Sequence, residues 1–226
     1  FEMHIEQGTQ LENAGLRAGV VTGIVAIWQW RILIEGMQDH AGGTTMAERR
    51  DAGLAAVRLL AMIDQEFPRA CGGRSTWTTG RLALDPGAPS IIPGRADILF
   101  QFRDIDPVVL ARMERCLRAC VGESNRRERT TATLASISKS QPAPCDPAMM
   151  AALDAAAEAH APGLWQRMPS GAGHDAQYIA RRMPVAMLFT PSIGGISHHW
   201  AEDTREEDLA LCVTILGGAA ERYLRG

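Results

Sequence analysis

Lysine is nearly missing from this chain. Lys139 is the only one among 23 basic residues, and these stand against 26 acidic ones for a formal net charge of −3. No overall basic field is therefore on offer to a nucleic acid. Cysteine lacks any pairing pattern: Cys71, Cys116, Cys120, Cys145 and Cys212 are odd in number and form no CxxC. Cys116 and Cys120 lie four apart on an expected helix, where a shared face suits packed thiols better than a disulfide. This usage fits the reducing cytoplasm. No apolar run approaches the ~18 residues of a membrane helix and no signal peptide is seen, so no membrane partner is expected. Internal repeats and low-complexity segments are absent, and the chain opens on Phe1 without an initiator methionine. What the 226 residues do hold is material for one or two domains with a sizeable core.

The chain is organised around residues 190–199, TPSIGGISHH. They follow the apolar run Val185–Phe189, which reads as a buried strand bounded by Pro184 and Pro191. The glycine pair lets the backbone turn tightly and carries two imidazoles just past a strand end, the edge where open α/β sheets bind ligands. Neutral imidazole is also the commonest metal-ligating side chain. Taken alone, a plain surface loop is the simpler reading. Two further stretches, MHIEQG at 3–8 and MPSGAGHD at 168–175, turn it towards a metal site.

From the start, His4–Gln7 and Val20–Val25 read as short strands with a turn at Asn13–Gly15. Trp28, Trp30, Ile32 and Ile34 alternate with polar residues, the pattern of a half-buried strand. Thr45–Glu48 has the form of a capping box and predicts a helix with Leu54, Val57, Leu60 and Ala61 inward, ending before Pro68. Strands are expected at Thr76–Leu84 and Ala96–Arg103. Asp106 as cap and Pro107 as first residue open a second helix, with Leu110, Met113, Leu117 and Val121 inward and Gly122 as stop. Thr130–Ser138 reads as a polar edge strand. The order β-α-β-β-α-β is the split ferredoxin-like plan, so residues 28–141 form a candidate α+β domain, with QPAP at 141–144 as the hinge out of it. Beyond it come an Ala-rich helix from Asp146 to His160, a helix from the SGAGHD loop through Arg182, and the strand before the glycine pair. A capping box at Thr204–Glu207 opens a final helix with Leu209, Val213 and Leu216 on one stripe. The expected architecture is one α/β domain, residues 1–27 and 142–226, interrupted by the insertion.

Six motifs then fall in order over nearly the whole chain: HIEQG at 4–8, VVTGI at 20–24, HAG at 40–42 followed by MAERRDA at 46–52, IIPG at 91–94 leading to Arg103, MPSGAGHDA at 168–176, and GGISH at 194–198. In this the chain resembles the N-carbamoyl-L-amino-acid hydrolase, β-ureidopropionase and allantoate amidohydrolase group of the two-metal aminoacylase–aminopeptidase superfamily. The resemblance implies two divalent ions, zinc or manganese or cobalt, with His4 and His198 among their ligands. It implies that His40 steadies the tetrahedral oxyanion, often from the partner subunit, and that Arg103 grips the substrate carboxylate. Gln7, Ser90 and Gly195 would contact substrate, and His174 and Asp175 would stand behind the ligands. It also implies that the inserted domain is a lid and pairs two copies into a homodimer. Two positions depart from the family pattern. Ser90 stands where an asparagine is common, so the amide's paired hydrogen bonds are lost. Thr45 replaces a proline in the loop that carries His40.

The same resemblance exposes another absence. The family's first metal-binding histidine, its bridging aspartate and its adjacent glutamate pair all precede HIEQG, and nothing here replaces them. Asp175 and Glu202 are the nearest carboxylates, and neither fits a ligand position. Catalytic zinc takes three protein ligands, so this chain alone is expected to bind metal weakly or not at all, and to be inactive, its αβα catalytic domain incomplete. The expected activity is metal-dependent cleavage of the ureido C–N bond of a small N-carbamoyl-L-amino acid. Allantoate is the alternative substrate. From another class, the alternative is a truncated, non-catalytic chain acting only as a dimerisation module.

Overall fold

The computed structural model describes residues 1–225. Its elements in chain order are β1 (Glu2–Ile5), α1 (Gln10–Ala14), β2 (Ala18–Ile24), β3 (Ala26–Glu35), β4 (Asp39–His40), α2 (Ala52–Ala70), β5 (Thr76–Asp85) and β6 (Ile91–Ile92). They continue with β7 (Arg95–Asp104), α3 (Pro107–Arg127), β8 (Thr131–Lys139), β9 (Ala143–Pro144), α4 (Pro147–His160), β10 (Trp165–Ser170), α5 (Asp175–Ile179), β11 (Met187–Thr190) and α6 (Glu206–Arg225). The chain divides into two compact units, Phe1–Val25 with Pro142–Gly226, and Ala26–Gln141.

In the first unit β2 and β11 are almost wholly buried. Strands covered on both faces read as near-continuous apolar runs, and these two do. The sheet order is β1-β11-β2-β10, with β9 added to β2. On one face Val20 and Leu188 meet Leu153 of α4 and Cys212 and Ile215 of α6. On the other, Val21, Met187 and Phe189 meet Leu11 of α1 and Ala176 of α5. β1 and β11 are parallel, so their C-terminal ends share one edge, where the Glu6 N–H donates to the Thr190 carbonyl at 2.9 Å. Both the HIEQG strand end and the TPSIGGISHH loop leave from that edge.

The second unit is an antiparallel sheet in the order β5-β7-β3-β8. Trp30, Ile32 and Ile34 of β3 and Ile98, Phe100 and Phe102 of β7 point to one face, where α2 and α3 pack on them. That is the period-two alternation of a one-sided sheet. The lone lysine is used here: the Lys139 ammonium lies 4.2 Å from the Trp28 ring centroid and 4.8 Å from that of Trp30, and pairs with Glu114.

Several local expectations give way. α2 begins at Ala52, capped by Asp51, whose carboxylate accepts from the Leu54 N–H at 3.0 Å. The segment before it forms a single turn, the Glu48 N–H donating to the Thr45 carbonyl at 3.1 Å and the Thr45 hydroxyl to the Glu48 carboxylate at 2.7 Å, and the Arg50 carbonyl is taken by the Met37 N–H. The inner face of α2 is Ala52, Ala55, Ala56, Leu59, Ile63 and Phe67, while Val57 is 58% exposed. The alanines let the first turns lie close to the sheet, and Leu59, Ile63 and Phe67 fill the core further along. Pro68 is tolerated in the last turn. α3 runs through Gly122 because Cys120, Val121 and Ser124 keep it packed. α6 buries Cys212, Ile215 and Ala219 rather than Val213, and the Thr204 hydroxyl donates to the Pro191 carbonyl instead of capping. α5 stops at Ile179, short of Arg182. β10 was not anticipated: its sequence WQRMPS is polar, and Pro169 is accommodated at a register shift between Met168 and Ser170.

Candidate functional site

In the first unit the site is built on the end of β1. Met3 packs toward α4 and α6, so strand alternation turns His4 to the opposite face. The His4 Nδ1 is 2.9 Å from the Ile5 carbonyl. A carbonyl only accepts, so the proton sits on Nδ1 and Nε2 keeps its lone pair. A metal-ligating imidazole is arranged in this way.

The His4 ring meets His174 edge to face at 4.6 Å. The His174 side chain is completely buried, with Nε2 bonded to the Ser170 hydroxyl at 2.7 Å and the ring against Phe189. Burial, and then the charge of His4, push its pKa down to about 4, with Asp175 pulling the other way. The ring is neutral near pH 7, so the 3.8 Å approach of its Nδ1 to Glu2 is not an ion pair. Glu2 is otherwise engaged, accepting from the Ala176 N–H at 2.7 Å. Asp175 is exposed at the first position of α5.

Glu6 is buried and caps α1, its two oxygens accepting from the N–H groups of Gln10 and Leu11 at 2.8 and 2.9 Å. Gln7 takes a left-handed φ of 58°. Its backbone N–H donates to the Ser192 hydroxyl at 3.0 Å and its side-chain amide to Ser197 at 2.9 Å. Gly195 has φ 64°, and a Cβ there would stand 2.3 Å from Thr9 Cγ2 and 2.9 Å from the Gly8 carbonyl carbon. Only glycine lets the two segments approach so closely. His198, at φ 56°, is exposed, and its N–H donates to Glu202 at 2.7 Å. Hydrogen bonds from the Ser197 hydroxyl and the His198 N–H, and then the charges of His198 and His4, hold the Glu202 carboxylate below its usual range. Both candidate ligands thus act on one carboxylate. His199 is spent in the turn, its Nδ1 accepting from the Ala201 N–H.

The second unit carries the other candidates. His40 ends β4 opposite Ile91 and is exposed. Its Nδ1 accepts from the N–H groups of Gly42 and Gly43 at 3.1 and 2.9 Å. The neutral ring must therefore carry its proton on Nε2, leaving an N–H facing outward as a donor. Arg49 braces this turn through the carbonyls of Thr44 and Ala41. Ser90 lies beside it, its carbonyl accepting from the Ala41 N–H at 3.0 Å. Arg103 sits in the main sheet between Ile27 and Thr76, and burial lowers its pKa from the ordinary guanidinium value. Its neighbours Asp104 and Asp106 are engaged with Ser75 and with the N-terminus of α3.

The structure gathers His4, Gln7, His174, Gly195 and His198 in the first unit, and His40 and Ser90 on one ribbon of the second. Sequence reasoning missed Glu2, Glu6, Ser192 and Ser197. The Glu6 cap could have been found from its spacing to Gln10 and Leu11; the partners of the other three lie far away in the chain. Among the described residues, no three His, Cys, Asp or Glu side chains gather in a way that could hold a metal ion. His4 fits a ligand's role, but the donor set falls short of the three protein ligands of catalytic zinc.

The model of Peptidase family M20/M25/M40 matches residues 1–222. The chain belongs to this family. It is 34% identical over 217 residues to an N-carbamoyl-L-amino acid amidohydrolase of Geobacillus stearothermophilus, which covers 95% of this chain and 52% of that protein. An allantoate amidohydrolase of Bacillus subtilis is 33% identical over 218 residues, covering 95% and 52%. The crystal structure of an amidase of the hydantoinase/carbamoylase family from Burkholderia phymatum superposes with a TM-score of 0.88 at 44% identity, over 98% of this chain and 53% of that one. The chain spans about half the length of the curated relatives it matches. Its mixed α/β fold is shared with this hydantoinase/carbamoylase-family structure. Among the described residues no helix is long and apolar enough to cross a membrane.

Proposed function

We propose that this chain belongs to a metal-dependent amidohydrolase that cleaves the ureido C–N bond of N-carbamoyl-L-amino acids. The observation that carries the reading is the opposite make of two imidazoles: His4 offers a bare Nε2 and His40 an Nε2–H. The first suits a ligand. The second suits an oxygen that becomes anionic when the ureido carbonyl turns tetrahedral. Arg103 takes the substrate carboxylate, for which a guanidinium fork is shaped, and partial burial strengthens that grip. Gln7, Ser90 and Gly195 orient the substrate, with His174 and Asp175 behind His4. Ammonia, carbon dioxide and the free amino acid are the products. His4 and His198 are the imidazoles offered to zinc, manganese or cobalt, which would need donors beyond these two, so no step is assigned to the metal. The second unit acts as the lid and pairs two copies, with the edge strand β8, exposed along most of its length, as a surface for pairing. Light scattering tests the pairing, and a monomer at micromolar concentration would refute it.

Allantoate is the second reading, favoured by a relative of that name at nearly equal identity. The test is ammonia release from N-carbamoyl-L-methionine and from allantoate, with and without metal. It compares the 226-residue chain with a protein of its relatives' length that carries these residues. Turnover is expected in the longer protein and not in this chain, whose two imidazoles come with no motif-matched base. Failure of the longer protein on both substrates would end the proposal. Metal-dependent turnover by this chain alone would show the catalytic set to be misplaced.

A further inference from the structure

We infer that Glu202 is a positioning residue of this site, tying the loop that carries His198 to the strand end that carries His4. The bonds form one continuous chain. The Gln7 amide donates to Ser197 Oγ at 2.9 Å, and the Ser197 hydroxyl donates onward to the Glu202 carboxylate. The His198 N–H donates to the same carboxylate at 2.7 Å. No proton is claimed twice, since the hydroxyl accepts one bond and donates one. Two of these bonds end on an ionised acceptor, which strengthens them. Glu202 is itself held, its N–H donating to the His199 carbonyl at 3.0 Å, so its backbone and side chain together close the turn over 198–202.

The backbone shows what these bonds sustain. Among the described residues Gln7 and His198 are the only non-glycine positions with positive φ, at 58° and 56°. Such conformations are unfavourable for a residue with a Cβ and persist only where the surroundings over-determine them. The two strained residues stand at the two ends of the Glu202 chain of bonds, although Gln7 and Ser197 are 190 residues apart in sequence. Without the carboxylate, His198 loses the bond that holds its N–H, and Ser197 loses the acceptor of its hydroxyl proton, which leaves the oxygen's lone pair turned to Gln7. The loop is then free to relax toward ordinary φ, carrying the His198 ring away from the edge it shares with His4. The purpose of this arrangement rests on the proposed role of His198 as a ligand; the positioning itself does not.

The test therefore begins without metal or substrate. In the 226-residue chain, Glu202→Ala should raise the exchange rate of the His198 amide proton at least about tenfold and shift the Gln7 side-chain amide signals. Glu202→Gln, which keeps one acceptor oxygen, should restore most of the protection. In a protein of the relatives' length, Glu202→Ala should weaken cobalt(II) binding about 10–100-fold, the usual range for a residue that orients a ligand. Glu202→Gln should recover it, with the urea midpoint unmoved in both variants. Unchanged exchange at His198 in Glu202→Ala would overturn the inference. So would a cobalt loss that Gln does not rescue and that tracks a lowered midpoint, since that describes general destabilisation. A longer protein that fails to hydrolyse either substrate while the exchange result holds would refute the proposed function and leave the positioning intact.

Discussion

His4 and His40 are the same residue type prepared in opposite ways by the two units. In the first unit a backbone carbonyl accepts a hydrogen bond from the Nδ1–H of His4; in the second, two backbone N–H groups donate hydrogen bonds to the bare Nδ1 of His40. What Nδ1 meets decides whether Nε2 is a lone pair or a donor, and so whether the ring suits a metal or an oxyanion. The units also differ in how they hold these groups. The His40 turn is braced largely within residues 39–49, by Asp39, the glycine amides and Arg49, with β6 and the Ser90 carbonyl beside it. The His4 side is braced across the chain, by Gln7 to Ser192 and Ser197 and by Glu2 to Ala176.

The largest effect that would sharpen this contrast is on turnover. In a protein of the relatives' length, His40→Ala should lower kcat about 10²–10³-fold with little change in KM, as loss of one oxyanion donor does. His40→Gln retains an N–H donor and should recover part of the rate. A KM effect alone would mean that His40 binds substrate without serving the transition state.

The next effect is on stability and belongs to the first unit. His174 is fully buried with its pKa pushed down to about 4 from 6.5. Between those values the unfolded chain binds a proton that the folded chain refuses, so stability falls as pH drops through that window. The loss reaches about 3 kcal/mol, while above pH 6.5 the contribution is complete and level. Urea unfolding at about pH 4.5 and about pH 7.5 should show the difference in the natural chain and not in His174→Gln. An equal acid sensitivity in both would place its origin elsewhere.

Smaller still is the glycine comparison. Gly195→Ala meets both a positive φ and a 2.3 Å clash with Thr9, and should cost about 1–3 kcal/mol. Gly42→Ala would only bring a Cβ to 3.4 Å from the His40 ring, and should stay within about 0.5 kcal/mol of the natural chain. Equal costs would mean that the Gly8–Gly195 approach is not a tight contact.

Much of the fold could be read from the sequence because its signals are local. Asp106 and Asp146 followed by proline mark true helix starts, and the alternation of Trp30, Ile32 and Ile34 marks a one-sided strand. The failures came where two patterns competed. On α2 the stripe from Ala52 through Leu59 and Ile63 to Phe67 won over the one through Leu54 and Val57, and Thr45–Glu48 imitated a cap while Asp51 made the real one. In the site, the motif histidines could be named, but their tautomers could not, because these depend on backbone geometry that no spacing reveals. The bracing of the His4 side was hidden for a related reason: Glu2, Ser192 and Ser197 act on partners far away in the chain.

The opposite preparation of His4 and His40 is open to measurement by long-range ¹H–¹⁵N correlation of the imidazole rings in the metal-free 226-residue chain, at a pH where both rings are neutral. A protonated Nδ1 with a bare Nε2 is expected at His4, and a bare Nδ1 with a protonated Nε2 at His40. The same tautomer on both rings, or a protonated Nδ1 at His40, would contradict it.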